Sequence, residues 1–428
     1  MTHELRPEDF RAVPGKDATE AFRALFAEVN RRLKPDAGGG VPVSTVSVLL
    51  TSTYTVSGTI MEAAPGRAQG LTIRGIGKRA SEIVMTGPEP LLINSDRWMG
   101  VRIRDVSFRS TNPRASFLRS LSTGGAQDWS FNNVEWRGVW RYGIGLDGPV
   151  ASNCNSEWDF DGCHVNGSYD VAFLWSGMTP AIASQDQFLN FWFRACKIEY
   201  EHGDFLRFDK GGFVTVDGGS FIIKGKRPDG GTSRFFHLPT AGHYDSVQHL
   251  HVRGVRFELR NAASQVIKSL WGGGHIVFDG CSDAALGFQS HSPGLVAHEY
   301  TNPAGVSYRS CDLVGRHAYH LTVPSARQRV VYDACTRKNN RTEGGIPPRR
   351  RSEGSSSPCD RPRERRGRNQ VTQPLESSWP VLSFPSSRQL VPASPLFRPL
   401  VTPSTGTQWS TRAAWCSSWR TAASLRAR

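Results

Sequence analysis

The sequence predicts an all-β solenoid in which the chain winds through about ten short stacked coils. One six-residue spacing recurs along the chain: apolar, any, apolar, any, any, then Cys, Val, Gly or Ile. Each copy alternates apolar and other residues, which is the period of a strand with one buried face, and then reaches turn-forming residues. The ten copies begin at Leu71, Val101, Trp129, Trp158, Phe191, Val214, Leu250, Ile276, Val306 and Val330.

The intervals between these copies are too irregular for a leucine-rich or WD40 repeat. They run from 23 residues, between Phe191 and Val214, to 36 residues, between Val214 and Leu250. A coil of three short strands needs about 22 residues or more once turns are included, so loops of variable length explain the scatter.

The first, third and sixth positions of each copy are predicted to face the interior. The sixth position holds a cysteine in five copies: Cys163, Cys196, Cys281, Cys311 and Cys335. Coils stacked about 4.8 Å apart would bring these side chains into one internal ladder. A thiol buried there acts as a small hydrophobe, which favours a structural role over catalysis. The sequence contains no CxxC pair, so the spacing typical of zinc ligands is absent.

The first 40 residues are predicted to form a lid. Asp17 can cap a helix from about Ala18 to Leu33, whose apolar stripe would cover the first coil against water and strand addition. The segments "GGGVPVSTVSVLL" and "STYTVSGTI" then provide the first strands. The solenoid is expected to occupy residues 41–336.

The net charge of +14 is concentrated after the last copy of the spacing. Residues 337–428 hold 17 Arg and Lys against 5 Asp and Glu, so the preceding 336 residues are nearly neutral. The segment lacks apolar periodicity and is rich in Arg, Ser and Pro, which predicts a disordered basic tail. The competing hypothesis is a nonfunctional end, such as out-of-frame translation. Neither interpretation indicates a specific nucleic-acid partner.

Three segments near the start carry a family resemblance: "GKDATEAFRALFAEV", "TYTVSGTI" and "LTIRGIGKRASEIVMTG". Their order resembles the entry of pectate-lyase-like proteins, in which a helix leads to a Gly-Thr-Tyr strand and an L-x-I-x-G-x-G strand. Here Ser52-Thr53-Tyr54 replaces Gly-Thr-Tyr. The resemblance covers residues 10–90 by motif and continues to residue 336 by architecture. It implies a right-handed, single-stranded parallel β-helix.

This superfamily includes lyases, hydrolases, epimerases and phage tail spikes, so the fold alone does not assign chemistry. The signature motifs of polygalacturonases and classical pectate lyases are missing. The sequence has no predicted signal peptide or membrane span. This combination most resembles a bacteriophage or prophage tail-spike protein, located in the virion tail or outside the host after lysis. That resemblance implies a host-surface polysaccharide, other tail proteins and a homotrimer as candidate partners.

An enzymatic role stays open at this point. The alternative hypothesis is a polysaccharide lyase or glycoside hydrolase that acts on an acidic glycan. Lyases need cations near the substrate carboxylate and a base, whereas hydrolases need two facing carboxyl groups.

The richest candidate carbohydrate-binding face lies between Glu157 and Asp209. Sugars stack on aromatic rings and form hydrogen bonds with carboxylates. The predicted catalytic residues are Glu199, Glu201, Asp204 and Arg194. The predicted substrate-binding residues are Glu157, Asp159, Trp140, Tyr142, Trp175, Tyr200 and His202. The opposing interpretation is a solvated strand face, which carries polar residues by default.

No cofactor or metal site is predicted. Asp159 and Asp161 could bind Ca²⁺, but the surrounding residues do not match an EF-hand loop. His249 and His251 share a strand face and could bind a transition metal, but the sequence identifies no third ligand.

Overall fold

A computed structural model describes the chain over residues 4–33, 45–62, 69–94, 98–121, 126–147, 155–178, 188–239, 249–270, 274–283, 296–322 and 329–337. The predicted tail at 337–428 lies outside these residues, apart from the backbone of Arg337. Within the described ranges, no helix is both long and apolar enough to cross a membrane.

The described chain is a right-handed parallel β-helix with three strands per coil, which confirms the predicted fold class. All neighbouring coils pair in parallel, and the predicted copies of the six-residue spacing lie one above another in register. The ladder begins at Val46, which pairs with Leu71. This strand precedes the first predicted copy at Leu71, so the number of coils differs slightly from the predicted ten.

The first column of strands contains the predicted spacing. Its members are Val46–Leu50, Leu71–Gly75, Arg102–Arg104, Gln127–Asn132, Ser156–Asp161, Phe191–Tyr200, Phe213–Ile223, His249–Arg253, His275–Asp279, Gly305–Arg309 and Val330–Asp333.

The second column follows the turn after the first strand, and two long first-column strands, Phe191–Tyr200 and Phe213–Ile223, continue into it. Its separate members are Thr53–Val56, Glu82–Met85, Ser107–Ser110, Glu135–Trp140, His164–Val165, Arg256–Leu259, Asp312–Leu313 and Thr336–Arg337, with the short strand Ser168–Tyr169 beside the end of Glu135–Trp140.

The third column forms a separate ten-stranded sheet. Its members are Met61–Glu62, Pro90–Asn94, Ser116–Leu121, Tyr142–Asp147, Ala172–Ser176, Asp204–Phe208, Ser233–Leu238, Ser264–Ser269, Val296–Thr301 and Arg316–His320.

Aromatic side chains form stacks along the interior because equivalent inward positions repeat on each coil. The rings of Trp129 and Trp158 lie parallel with centroids 4.9 Å apart. Phe160 lies between Phe131 and Phe193, at centroid distances of 4.8 and 4.5 Å. These side chains are buried, so the predicted inward positions are confirmed for these coils.

The predicted thiol ladder is confirmed for Cys163, Cys196, Cys281 and Cys311, which are buried and free. Each of these sulfurs lies 3.4 Å from a backbone oxygen of the preceding coil. Cys335 is only partly buried, because it lies on the last described coil.

The inward prediction is wrong for Ile76, which is 62% exposed. Residues 76–80 form an added turn. Because Glu82 pairs with Ser107, the preceding residue Ser81 lies level with Val106, the sixth residue of the next copy, and Ser81 is the buried side chain on this coil.

The fifth position of the spacing makes the bend between the first and second columns. It has a positive φ, between 49° and 69°, in nine of the ten copies: Asp105, Asn133, Gly162, Ala195, Gly218, Gly254, Gly280, Ser310 and Ala334. This left-handed conformation turns the chain while the sixth residue points inward again.

We expect Gly162→Ala to lower the free energy of unfolding by about 1 kcal/mol, because a left-handed alanine is disfavoured but its Cβ would meet no atom within 4 Å. Gly219→Ala should cost a further ~1–3 kcal/mol, because its Cβ would lie 2.3 Å from the carbonyl oxygen of Cys196. Chemical denaturation of both variants measures the difference. Equal losses would contradict this account of the turn.

The N-terminal helix spans Thr19–Arg32 and covers the first coils, as predicted. Its buried residues include Phe22, whose ring makes an edge contact with Tyr54 at 5.4 Å. Asp17 accepts a hydrogen bond from the backbone N–H of Thr19 at 3.0 Å, although Ala18 occupies the N-cap position. Leu5 also forms a parallel bridge with Val48, so the first strand is not left as an open edge.

Candidate functional site

A line of polar residues runs along the outer face of the second column. We call it the polar column, and its members are Glu82, Ser107, Glu135, His164, Lys197, Ser220 and Arg256. Successive members pair directly in the parallel register. Each member from Ser107 onward directly follows the sixth position of the spacing, so the turn that points the sixth residue inward points the seventh outward.

Glu135 is the most buried carboxylate of the polar column, at 1% exposure. Arg79, from the added turn, donates to both of its carboxylate oxygens at 2.8 Å. Burial by itself raises the pKa of Glu135, but the hydrogen bonds from Arg79 and His164, together with the charge of Arg79, outweigh it and hold the pKa well below its usual range. Glu135 is therefore a fixed, buried negative charge.

His164 connects this buried carboxylate to the surface. Its Nδ1 lies 3.3 Å from Glu135 Oε1, and its Nε2 lies 4.0 Å from Glu199 Oε2. The Nε2 atom is buried and has no hydrogen-bond partner among the described residues. A carboxylate at Nδ1 favours the tautomer that leaves Nε2 free to accept a proton.

Glu199 and Lys197 close the outer end of this arrangement. Lys197 Nζ lies 2.6 Å from Glu199 Oε2, and its hydrogen bond is the main cause that lowers the pKa of Glu199. The side chain of Lys197 is about half exposed, whereas that of Glu199 is largely covered. An imidazole, a carboxylate and an accessible cation therefore lie together on two neighbouring coils.

Glu135 and His164 were not among the predicted site residues. They lie 29 positions apart in the sequence, and only the register makes them neighbours. An alignment of the copies at the seventh position would have placed Glu135, His164 and Lys197 in one column.

The three predicted catalytic carboxylates do not form one group. Glu201 is about half exposed and pairs with Lys224 at 3.1 Å. Asp204 begins a strand of the third column and is buried, so its predicted place on the exposed carbohydrate-binding face is wrong. It is 4% exposed and lies 2.6 Å from His237 Nδ1 and 3.7 Å from Arg234 Nη1.

The predicted cation Arg194 lies on the outer face of the first column, where it pairs with Asp159 at 2.5 Å. Its column alternates in charge over seven coils: Asp161, Arg194, Asp217, Arg253, Asp279, Arg309 and Asp333. Arg253 donates to both oxygens of Asp217 at 3.0 and 2.8 Å. This face is therefore close to neutral.

Three of the predicted sugar-stacking rings are buried, which corrects their assignment to the surface. Trp140, Tyr142 and Tyr200 are at most 4% exposed. The indole N–H of Trp140 donates to the carbonyl of Arg137 at 2.9 Å, and the hydroxyl of Tyr200 donates to the carbonyl of Arg234 at 2.7 Å.

The remaining predicted binding residues are partly exposed: Glu157, Asp159, Trp175 and His202. The indole N–H of Trp175 donates to Asp209 at 2.6 Å, and the guanidinium of Arg207 lies 5.5 Å from its ring centroid. Burial lowers the pKa of His202. Trp192, on the strand beside Asp159, offers a second partly exposed ring.

No protein-family model and no curated protein matches this sequence. Among solved structures, the chain is similar to the A-module of the Azotobacter vinelandii mannuronan C-5 epimerase AlgE4, at 10% identity and a TM-score of 0.41, over 81% of this chain and 99% of that one. It is similar to the Streptococcus pneumoniae surface adhesin PfbA at 9% identity and a TM-score of 0.40, over 82% and 96%.

The tailspike protein of E. coli bacteriophage HK620, solved with a pentasaccharide, is a third similar structure, at 10% identity and a TM-score of 0.29, over 79% of this chain and 80% of that one. These likenesses concern architecture alone. The chain is a right-handed parallel β-helix, and its stacked coils pair in parallel register.

Proposed function

We propose that this protein is a tail-associated β-helix of a phage or prophage that binds an acidic host-surface polysaccharide along the polar column and cleaves it by β-elimination. The observation that carries the proposal is the buried, unpartnered Nε2 of His164, held between Glu135 and the Lys197–Glu199 pair. In the tail, its partners would be the polysaccharide, other tail proteins and two further copies of this chain.

Elimination fits these side chains better than hydrolysis does. Hydrolysis needs one carboxyl group that remains protonated to serve as the acid. Glu135 and Glu199 both have lowered pKa values, so both are ionised at neutral pH. Arg79 and Lys197, each more than half exposed, are cations that could face a substrate carboxylate.

In the proposed reaction the substrate carboxylate draws the Lys197 ammonium away from Glu199, which uncovers His164 Nε2, and this nitrogen takes the proton on the carbon next to that carboxylate. A carbon–carbon double bond forms as the bond to the glycosidic oxygen breaks. The leaving oxygen takes a proton from Lys197 or from water. Glu135 touches no substrate: it positions His164 and keeps Nδ1 protonated.

The test measures binding and cleavage of polygalacturonate and alginate by the full chain, with neutral dextran as the uncharged control. We expect a rise in unsaturated-uronate absorbance with one acidic polymer and a loss of about 100-fold or more in His164→Gln. Asp217→Asn, on the alternating-charge face, is the matched control and should keep parent activity. Glu135→Gln should lower the rate and displace its pH profile without weakening binding.

Three results would overturn the proposal or its reaction. Equal affinity for dextran and the acidic polymers would reject an acidic substrate. Full cleavage activity in His164→Gln would reject the assigned base. Release of reducing ends without unsaturated uronate would assign hydrolysis instead.

A further inference from the structure

A second polar cluster lies inside the β-helix, near the C-terminal coils that the structure describes. It is made of two stacked copies of one set, His298 with Tyr300 and Tyr308, and His317 with Tyr319 and Tyr332. The register pairs each member with its counterpart on the next coil. The two histidines are completely buried, and Tyr300 and Tyr308 are as well. The two imidazoles replace the apolar residues that hold the equivalent third-column position on the preceding coils, which are Ile267, Phe236, Leu206, Leu174 and Ile144.

The two imidazoles stack on one another, and each is held by a tyrosine hydroxyl. Their rings stack at a centroid distance of 4.2 Å. His298 Nδ1 lies 3.0 Å from the hydroxyl of Tyr308, and His317 Nδ1 lies 2.7 Å from that of Tyr332. Each ring is therefore held at Nδ1 by an equivalent tyrosine.

Asp283 lies beside this pair of imidazoles. Its Oδ2 is 3.1 Å from His298 Nε2, and its side chain is also completely buried. The backbone N–H groups of Val314 and Gly315 donate to its two oxygens at 2.5 and 3.0 Å, which fixes the carboxylate. One ligand atom from each of Asp283, His298 and His317 lies within 4.8 Å of the others.

We propose that Asp283, His298 and His317 form a buried site for a divalent transition-metal ion such as Zn²⁺. Two imidazole nitrogens and one carboxylate oxygen suit zinc-type ions, whereas Ca²⁺ and Mg²⁺ prefer oxygen ligands alone. The tyrosines and backbone N–H groups supply the outer hydrogen bonds that orient metal ligands. A positive ion also compensates the negative charge of a carboxylate that has no access to water.

The site would be structural. Its ligands are completely buried, which excludes a substrate. His298 and His317 come from neighbouring strands of the third column, and Asp283 follows Ser282, which bridges to Arg256 and Asp312 of the second column. Metal binding would therefore join the end of one sheet to the turns that follow the second column, and would protect this part of the rod from unfolding.

The test uses the full chain, stripped with a chelator and then titrated with Zn²⁺ or Co²⁺. His249, His251 and His275 lie together on the surface, with ring centroids 6.0 to 6.4 Å apart, and could bind the same ions. Every protein in the test therefore carries His251→Gln. We expect one equivalent of bound metal, visible absorption bands on Co²⁺ loading, and a higher melting temperature in the loaded protein.

His317→Gln and Asp283→Asn should lose that equivalent of metal. The matched control is His320→Gln, on the same strand as His317 but exposed, and it should keep the metal. If the folded parent background, judged by circular dichroism, binds less than a tenth of an equivalent, the proposal is overturned and the cluster is a proton-sharing network. The metal content of the folded parent background therefore tests the proposal even if the His317 and Asp283 variants fail to fold.

Discussion

Phe160→Ala is expected to lower the free energy of unfolding by about 3–5 kcal/mol, the range for removing a large aromatic side chain from a packed core. Phe160 is 1% exposed and stacks on both neighbouring coils, with interplanar angles of 10° to Phe131 and 9° to Phe193. Truncation would leave a cavity and interrupt the aromatic stack on both sides. Urea denaturation followed by far-UV circular dichroism measures the loss.

Two comparison variants make this measurement discriminating. Phe160→Leu keeps most of the volume and should cost clearly less than Phe160→Ala. Ile76→Ala should change the stability by less than about 0.5 kcal/mol, because the structure exposes this side chain although the spacing predicts it to be buried. A large loss in Ile76→Ala would contradict the register described for the added turn.

The fold could be predicted because its information is local and repeated. Each coil carries its own alternation of apolar residues and its own turn, and coils stack only if equivalent inward positions coincide. The starts of the copies, from Trp129 to Val330, therefore pair one to one in the structure. The position of Ile76 was missed because five added residues replace the usual turn there.

The candidate site was harder to predict because it depends on which coils are neighbours and on how each corner bends. Glu201 and Asp204 are three residues apart, yet the turn at Gly203 carries the chain onto another sheet. Tyr200 itself obeys the alternation that runs from Cys196 through Ile198, so it faces the interior and its assignment to the binding face did not follow the pattern. Arg79 and Glu135, in contrast, are 56 residues apart and form two hydrogen bonds.

The second large effect concerns the buried charge of Glu135. Arg79→Ala leaves this carboxylate without its main partner, and removing one partner of a buried ion pair costs about 3–5 kcal/mol. We expect the lower end of this range at neutral pH, because Arg79 itself is 60% exposed and His164 remains beside the carboxylate. Arg253→Ala removes a similar bidentate pair from the exposed alternating-charge face and should cost far less.

The pH dependence gives an independent check on the same group. The folded-state pKa of Glu135 is lowered, so its ion pair stabilises the fold above the unfolded value of about 4.5, and this contribution is lost as the pH falls below it. Glu135→Gln should therefore flatten the decline of stability between about pH 4.5 and pH 2.

At neutral pH, adding Glu135→Gln to Arg79→Ala should restore part of the lost stability, because the amide removes the uncompensated buried charge. Strictly additive losses in the double variant would show that Arg79 and Glu135 are not energetically coupled, and that the polar column lacks the fixed negative charge on which the orientation of His164 depends.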